Sequence, residues 1–274
     1  MKTRTAPGKA LQDKSIHGTP IQGTPRQGKS VQRPSVQRPS VQGTAVQRTS
    51  VRPSGAGLTS ASARSAMIDG LREGGIRDPQ VLQAMANVDR HRFVEPGLAS
   101  RAYEDMSLPI GYGQTISRPF TVARMIELVA EVYSPEQRQK ASVLEIGTGC
   151  GYQAAVLAQV FGQVLSIERI RSLHEQARAN LRHLRQPNLR LVLGDGHMGS
   201  PQSAPFQVII VAAAGASIPD ALLLQTALGG RLIAPIQSEN GQQSLHFVER
   251  ALPAEWRLSV LDSVRFVPMR AGVT

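Results

Sequence analysis

From about residue 61 the apolar positions alternate between short unbroken runs and longer stretches with helical spacing. The runs at 143 to 146, 164 to 168, 189 to 193, 208 to 212 and 231 to 235 suit strands buried on both faces. Between them the spacing predicts helices at about 152 to 161, 171 to 184 and 219 to 228, with an amphipathic helix from Phe120 to Tyr133 ahead of the first run. Such alternation predicts an α/β fold with a parallel, doubly wound sheet. Two short helices are expected upstream, Ala63 to Glu73 and Pro79 to Val88. Gly74-Gly75 stops the first, and Asp78 caps the second with Pro79 at its first position. After Gly229-Gly230 the helical pattern ends, and Ser244 to Val248 and Arg257 to Val267 read as strands at an antiparallel edge.

The first strand ends on Glu145-Ile146 and breaks into Gly147-Thr148-Gly149-Cys150-Gly151. Three glycines let the turn bend tightly while its backbone lies against a ligand. A dinucleotide fingerprint needs a further glycine where this chain has Tyr152, and a phosphate-binding P-loop needs a Gly-Lys-Ser/Thr ending that is absent. What remains resembles the first motif of class I S-adenosylmethionine-dependent methyltransferases, whose loop wraps the methionine end of a cofactor without phosphate. The alternative is an ordinary tight strand-to-helix turn. Two further strand ends weigh against it. Val164 to Ile167 ends on Glu168, at the spacing of about 20 residues that sets a carboxylate beside a ribose. Leu191 to Leu193 ends on Gly194-Asp195-Gly196, where related methyltransferases hold the adenine. Glu145, Gly147, Gly149, Gly151, Glu168, Asp195 and Gly196 are therefore the candidate cofactor residues.

Charge separates the chain into two parts. Residues 1 to 60 hold ten Lys or Arg against the single acid Asp13, a net +9 of the whole chain's +11. They also repeat with a period of five, as in Val31-Gln32-Arg33-Pro34-Ser35 and Val36-Gln37-Arg38-Pro39-Ser40. Each pentad offers one aliphatic side chain, whose burial yields about 1.5 to 3 kcal/mol. Ordering five backbone units costs about 5 to 10 kcal/mol. The segment is expected to be disordered, leaving residues 61 to 274 as the catalytic domain. A dispensable solvated extension is favoured over a weak, salt-sensitive tether to RNA, DNA or another polyanion.

No run reaches membrane-span length, and the N-terminus lacks the apolar core of a secretion signal, so a cytoplasmic location is expected. Cys150 is the one cysteine, and a small side chain tolerated in the loop is favoured over a nucleophile. None of the six histidines shows metal-ligand spacing, and no metal is expected.

The acceptor side is read from Leu108-Pro109-Ile110-Gly111-Tyr112-Gly113-Gln114-Thr115-Ile116-Ser117, a segment rich in turn residues that is expected to be a loop entering a helix. Ser117, two residues before Pro119, is a plausible N-cap. With this segment the chain closely resembles the protein-L-isoaspartate O-methyltransferase family. The resemblance rests on Pro109 to Ser117, Glu145 to Tyr152, Ser166-Ile167-Glu168-Arg169, Gly194-Asp195-Gly196 and Gly229 to Pro235, and it covers roughly residues 61 to 270. One departure is Gln237, where the family usually shows glycine. The resemblance implies methyl transfer from S-adenosylmethionine to the free α-carboxylate of L-isoaspartyl residues in damaged proteins and peptides; a monomer is expected. It places the active-site serine on Ser117, with Thr115 close to the cofactor. A methyltransferase acting on RNA or a small molecule, and a non-catalytic polyanion-binding protein, are the alternative readings.

Overall fold

The structure is a computed structural model, and it describes residues 61 to 274. The tail expected to be disordered lies outside the described residues. Helices α1 (Ala61–Glu73) and α2 (Pro79–Asn87) lead through 3-10 turns at Arg90–Phe93 and Pro96–Arg101 to β1 (Leu108–Gly111) and β2 (Gln114–Ile116). Then follow α3 (Pro119–Ala130), α4 (Pro135–Arg138), β3 (Ser142–Ile146), α5 (Tyr152–Val160), β4 (Gln163–Glu168), α6 (Arg171–Leu181) and β5 (Leu189–Leu193). The order closes with β6 (Phe206–Val211), α7 (Asp220–Gln225), β7 (Thr226–Gln237), β8 (Gln243–Leu252) and β9 (Glu255–Ser263).

Seven strands form one sheet in the order β5-β4-β3-β6-β7-β8-β9. The pairings from β5 across to β7 are parallel, and β8 and β9 add antiparallel neighbours, as the pattern predicts. Alternate side chains feed two cores. Val143, Val164, Val208 and Ile210 face the core that holds α1, α2, α3 and α5. Leu144, Leu165, Ile167, Ile209 and Val211 face the core that holds Leu222 of α7. Both faces are covered, which is why the strands read as continuous apolar runs. The strand order reverses between β3 and β6, so a crevice opens at their carboxyl ends.

Asp78 caps α2 as expected, its side chain accepting from the backbone N–H groups of Gln80 and Val81. It also pairs with the buried Arg138 at 2.5 Å, tying α2 to the turn before β3. Three expectations need correction. The helix expected over 219 to 228 stops at Gln225, and Thr226 already belongs to β7. Gly229-Gly230 is thus an irregularity within a strand instead of a helix stop: Gly229 has φ +72°, and a Cβ on Gly230 would come within 3.0 Å of the Gln207 carbonyl on β6. The segment 108 to 116 is an antiparallel hairpin instead of a loop, with Leu108 opposite Ile116 and Gly111 opposite Gln114. Gly111, Tyr112 and Gly113 all have positive φ and reverse the chain, while Leu108, Ile110 and Ile116 anchor it in the core. Finally, Ser117 does not cap α3. The cap position is Arg118, without a side-chain cap bond, and the carboxylate of Asp105 takes the Phe120 N–H at 2.8 Å.

Candidate functional site

The crevice at the switch point is a cleft open to solvent, with about 630 Å³ of empty space when the adjoining solvent is included. Its walls come from successive strand ends: Gly147 and Gly149 after β3, Glu168 on β4, Gly196 after β5, and Ala212 and Ala213 after β6. Gly147 and Gly149 have φ of +94° and +55°, which side chains resist, and a Cβ on Gly149 would press to 3.2 Å on Ile110 of the hairpin. The loop therefore offers bare backbone to the cleft. Gly151 is part of the same turn, but it faces Leu181 and Ala177 of α6 instead of the cleft.

Glu168 is 4% exposed and lines the cleft. One carboxylate oxygen accepts from Gly149 N–H and the other from Ile170 N–H, both at 2.9 Å, so the side chain cannot swing away. A fixed carboxylate suits hydroxyl groups of a sugar and disfavours a phosphate. A fixed carboxylate beside bare glycine backbone suits a nucleoside carrying an amino-acid end.

Two acids occupy other positions. Glu145 is fully buried and does not line the cleft. It accepts a hydrogen bond from Ser166 on β4, whose hydroxyl also meets that of Thr148 at 2.6 Å, so it supports the glycine loop from beneath. Its other oxygen has no partner among the described residues, and burial pushes its carboxyl up to about 8. Asp195 caps the turn at Gly196–Met198 through His197 N–H, and its second oxygen accepts from Gly272 N–H at 2.7 Å. Burial alone would raise this carboxyl, but the bonds from Gly272 and His197 outweigh it and hold it below the usual range. Gly196 forms the wall beside it, where a Cβ would sit 2.2 Å from Ile146 Cγ2.

A second, smaller cavity of about 360 Å³ adjoins the first. Thr115, Ile110, Gly147, Gly149 and Ala212 line both, whereas Ser117, Cys150, Tyr152 and Gln153 line only the smaller one. The hairpin thus brings Thr115 and Ser117 against the glycine loop, across a gap of about 30 residues in sequence. Tyr152, at the position a dinucleotide fingerprint gives to its third glycine, is buried and lies edge-on to Phe93 at 5.5 Å. Burial pushes the Cys150 thiol up to about 11, so it stays protonated at neutral pH.

A family model described as Protein-L-isoaspartate(D-aspartate) O-methyltransferase (PCMT) matches residues 62 to 274. The chain belongs to this family. Proteins named protein-L-isoaspartate O-methyltransferase from Burkholderia mallei and Burkholderia thailandensis are 57% and 56% identical to it over 216 residues. The match covers 79% of this chain and 66% and 64% of theirs, so the chain spans just under two thirds of the length of these relatives. A solved protein-L-isoaspartate O-methyltransferase is 28% identical with a TM-score of 0.67, over 77% of this chain and 67% of its own. A Plasmodium falciparum protein described as a member of the same family, in complex with S-adenosyl-L-homocysteine, shares the fold at 22% identity and a TM-score of 0.67, over 76% of this chain and 98% of its own.

Several residues of the family member's cleft carry no signal in the sequence. Val267 to Arg270 form one wall because the segment after β9 returns across the strand ends, where Ala214 N–H reaches Val267 O and Met269 N–H reaches Ala214 O. These are backbone contacts, which no side-chain pattern encodes. The small residues Ala212 to Ala214 after β6 were a legible hint. Among the described residues no helix is long and apolar enough to cross a membrane.

Proposed function

We propose that this chain transfers the methyl group of S-adenosylmethionine to the free α-carboxylate of L-isoaspartyl residues in damaged proteins and peptides, releasing S-adenosylhomocysteine, and that the backbone nitrogen then closes on the ester spontaneously with loss of methanol, giving a succinimide whose hydrolysis restores some aspartate. One observation carries the reading. Ser117 and Thr115 reach the same cavity as the glycine loop, giving an acceptor pocket joined to a nucleoside cleft. Membership of the family supports it.

S-adenosylmethionine supplies the electrophilic methyl group. Glu168 would hold the ribose hydroxyls, the backbone of Gly147 and Gly149 the amino-acid end, and Gly196 with Asp195 the adenine side. Thr115 lies where both ligands would meet. An α-carboxylate with an intrinsic pKa of about 3.5 is already ionised at neutral pH, so no general base is required. The rate must come from alignment, which can supply about 7 to 11 kcal/mol. Ser117 then acts as a hydrogen-bond donor to the acceptor carboxylate, with no covalent intermediate.

The test presents labelled S-adenosylmethionine with an isoaspartyl peptide, its aspartyl counterpart and total RNA. Label should enter the isoaspartyl peptide alone. Equal labelling of both peptides, or labelling of RNA, would overturn the reading.

A further inference from the structure

Arg90 is fully buried, in the 3-10 turn that follows α2. Among the described residues no carboxylate forms an ion pair with it, and its donors go to backbone carbonyls instead. Nε donates to Ala102 O at 2.7 Å, and Nη2 donates to Ser117 O at 2.7 Å and more weakly to Met106 O at 3.5 Å. The guanidinium carbon lies 4.8 Å from the centre of the Tyr152 ring. Nη1 is buried and has no partner among the described residues.

These contacts span the site. Ala102 and Met106 precede the β1-β2 hairpin and Ser117 ends it, so one rigid fork grips both ends of the segment. Tyr152 follows the glycine loop directly. Arg90 therefore fastens the acceptor segment to the exit of the donor loop. A buried charge without a counter-charge is unfavourable, and an apolar side chain could fill the same volume more cheaply. The planar fork can reach several carbonyls at fixed angles, which a lysine ammonium cannot.

We infer that Arg90 is a positioning residue for methyl transfer: by fixing the Ser117 carbonyl it sets where the Ser117 hydroxyl stands relative to the glycine loop. This rests on the proposed activity, because the benefit lies in aligning the acceptor. Arg90 touches neither ligand pocket.

Arg90→Lys in the full chain tests it, with Tyr152→Leu as a second variant that removes the ring contact and leaves the carbonyl bonds. Three quantities are measured: amide hydrogen exchange, the Kd for S-adenosylmethionine by calorimetry, and kcat and KM with an isoaspartyl peptide. In Arg90→Lys, exchange should quicken in residues 106 to 118 and stay unchanged in β3 and β4. The Kd should hold within about 2-fold while kcat/KM falls about 100-fold, as misplacement by about 1 Å can cause. Tyr152→Leu should shift the same quantities in the same direction by less. Uniformly faster exchange, failure of Arg90→Lys to fold, parallel losses in cofactor affinity and turnover, or wild-type turnover would each overturn the inference. A wild-type chain that leaves the peptide unmethylated would sink the proposed activity instead, and the exchange pattern would still test the clamp.

Discussion

The two halves of the proposed site, donor and acceptor, are built differently. The donor half hangs on the carboxyl ends of parallel strands, where each residue is fixed by the ladder beneath it: Glu145 sits opposite Ser166, and Glu168 opposite Leu193. The acceptor half hangs on a hairpin of four-residue and three-residue strands that joins no other sheet. Leu108, Ile110 and Ile116 anchor its strands in the core, while its ends are held by single side-chain bonds, Arg90 to the Ser117 carbonyl behind it and Asp105, just ahead of it, to the Phe120 N–H of α3. A strand-built cradle is insensitive to any one contact, whereas the ends of a hairpin outside the main sheet rest on a few side-chain bonds and can shift when one is lost. Cofactor binding should therefore respond to changes at strand ends, and turnover to changes around the hairpin.

The largest break in that division is expected from Glu168→Ala. Losing charged hydrogen bonds costs about 1.5 to 3 kcal/mol, so the Kd for S-adenosylmethionine should rise about 10- to 150-fold. Unchanged affinity in calorimetry would remove Glu168 from the ribose position.

Glu145→Gln sharpens the donor side through pH. Burial raises the folded-state carboxyl to about 8, from an ordinary value of 4.5. The folded chain thus binds a proton in this window that the unfolded chain has released. The stability this confers is complete below about 4.5 and is lost as pH rises toward 8, by about 1 kcal/mol per pH unit. Glutamine cannot titrate, so denaturation profiles of wild type and variant should diverge steadily between pH 6 and 8, the wild type losing more. Parallel profiles would mean that Glu145 is ionised in the fold.

Asp195→Ala should have a smaller effect. Its carboxylate holds Gly272 N–H, so removal should quicken exchange in residues 267 to 274 and weaken cofactor affinity by about 5-fold, near 1 kcal/mol for a lost hydrogen bond. Deleting residues 1 to 60 should leave kcat/KM on short peptides unchanged. Loss of activity at matched stability would give the tail a part in the site.

The same contrast explains what the sequence revealed. Strands buried on both faces announce themselves as Val143 to Ile146 and Val164 to Ile167, and glycines at the turns mark the cleft, but the sequence does not show that Glu145 lies beneath the loop or that Gly151 faces α6, because burial and facing are set by tertiary packing. The hairpin looks like a loop in the sequence because Pro109 and the glycines at 111 and 113 interrupt strands too short to show a period. Its place in the site came from family resemblance. Arg90 was invisible because Arg90-His91-Arg92 looks like a solvated basic run, and burial of its first member is a tertiary fact. Gly229-Gly230 misled for a related reason: the same dipeptide ends a helix or relieves a crowded strand, depending on how near the neighbouring backbone comes.

The separation of donor from acceptor is tested most directly by Ser117→Ala, with cofactor affinity by calorimetry and methyl transfer to an isoaspartyl peptide measured on the same preparation. Transfer should fall about 100-fold, the cost of removing one donor aimed at the reacting group, while the Kd for S-adenosylmethionine stays within about 2-fold. Equal losses in both would contradict the account and make Ser117 a structural part of the cradle.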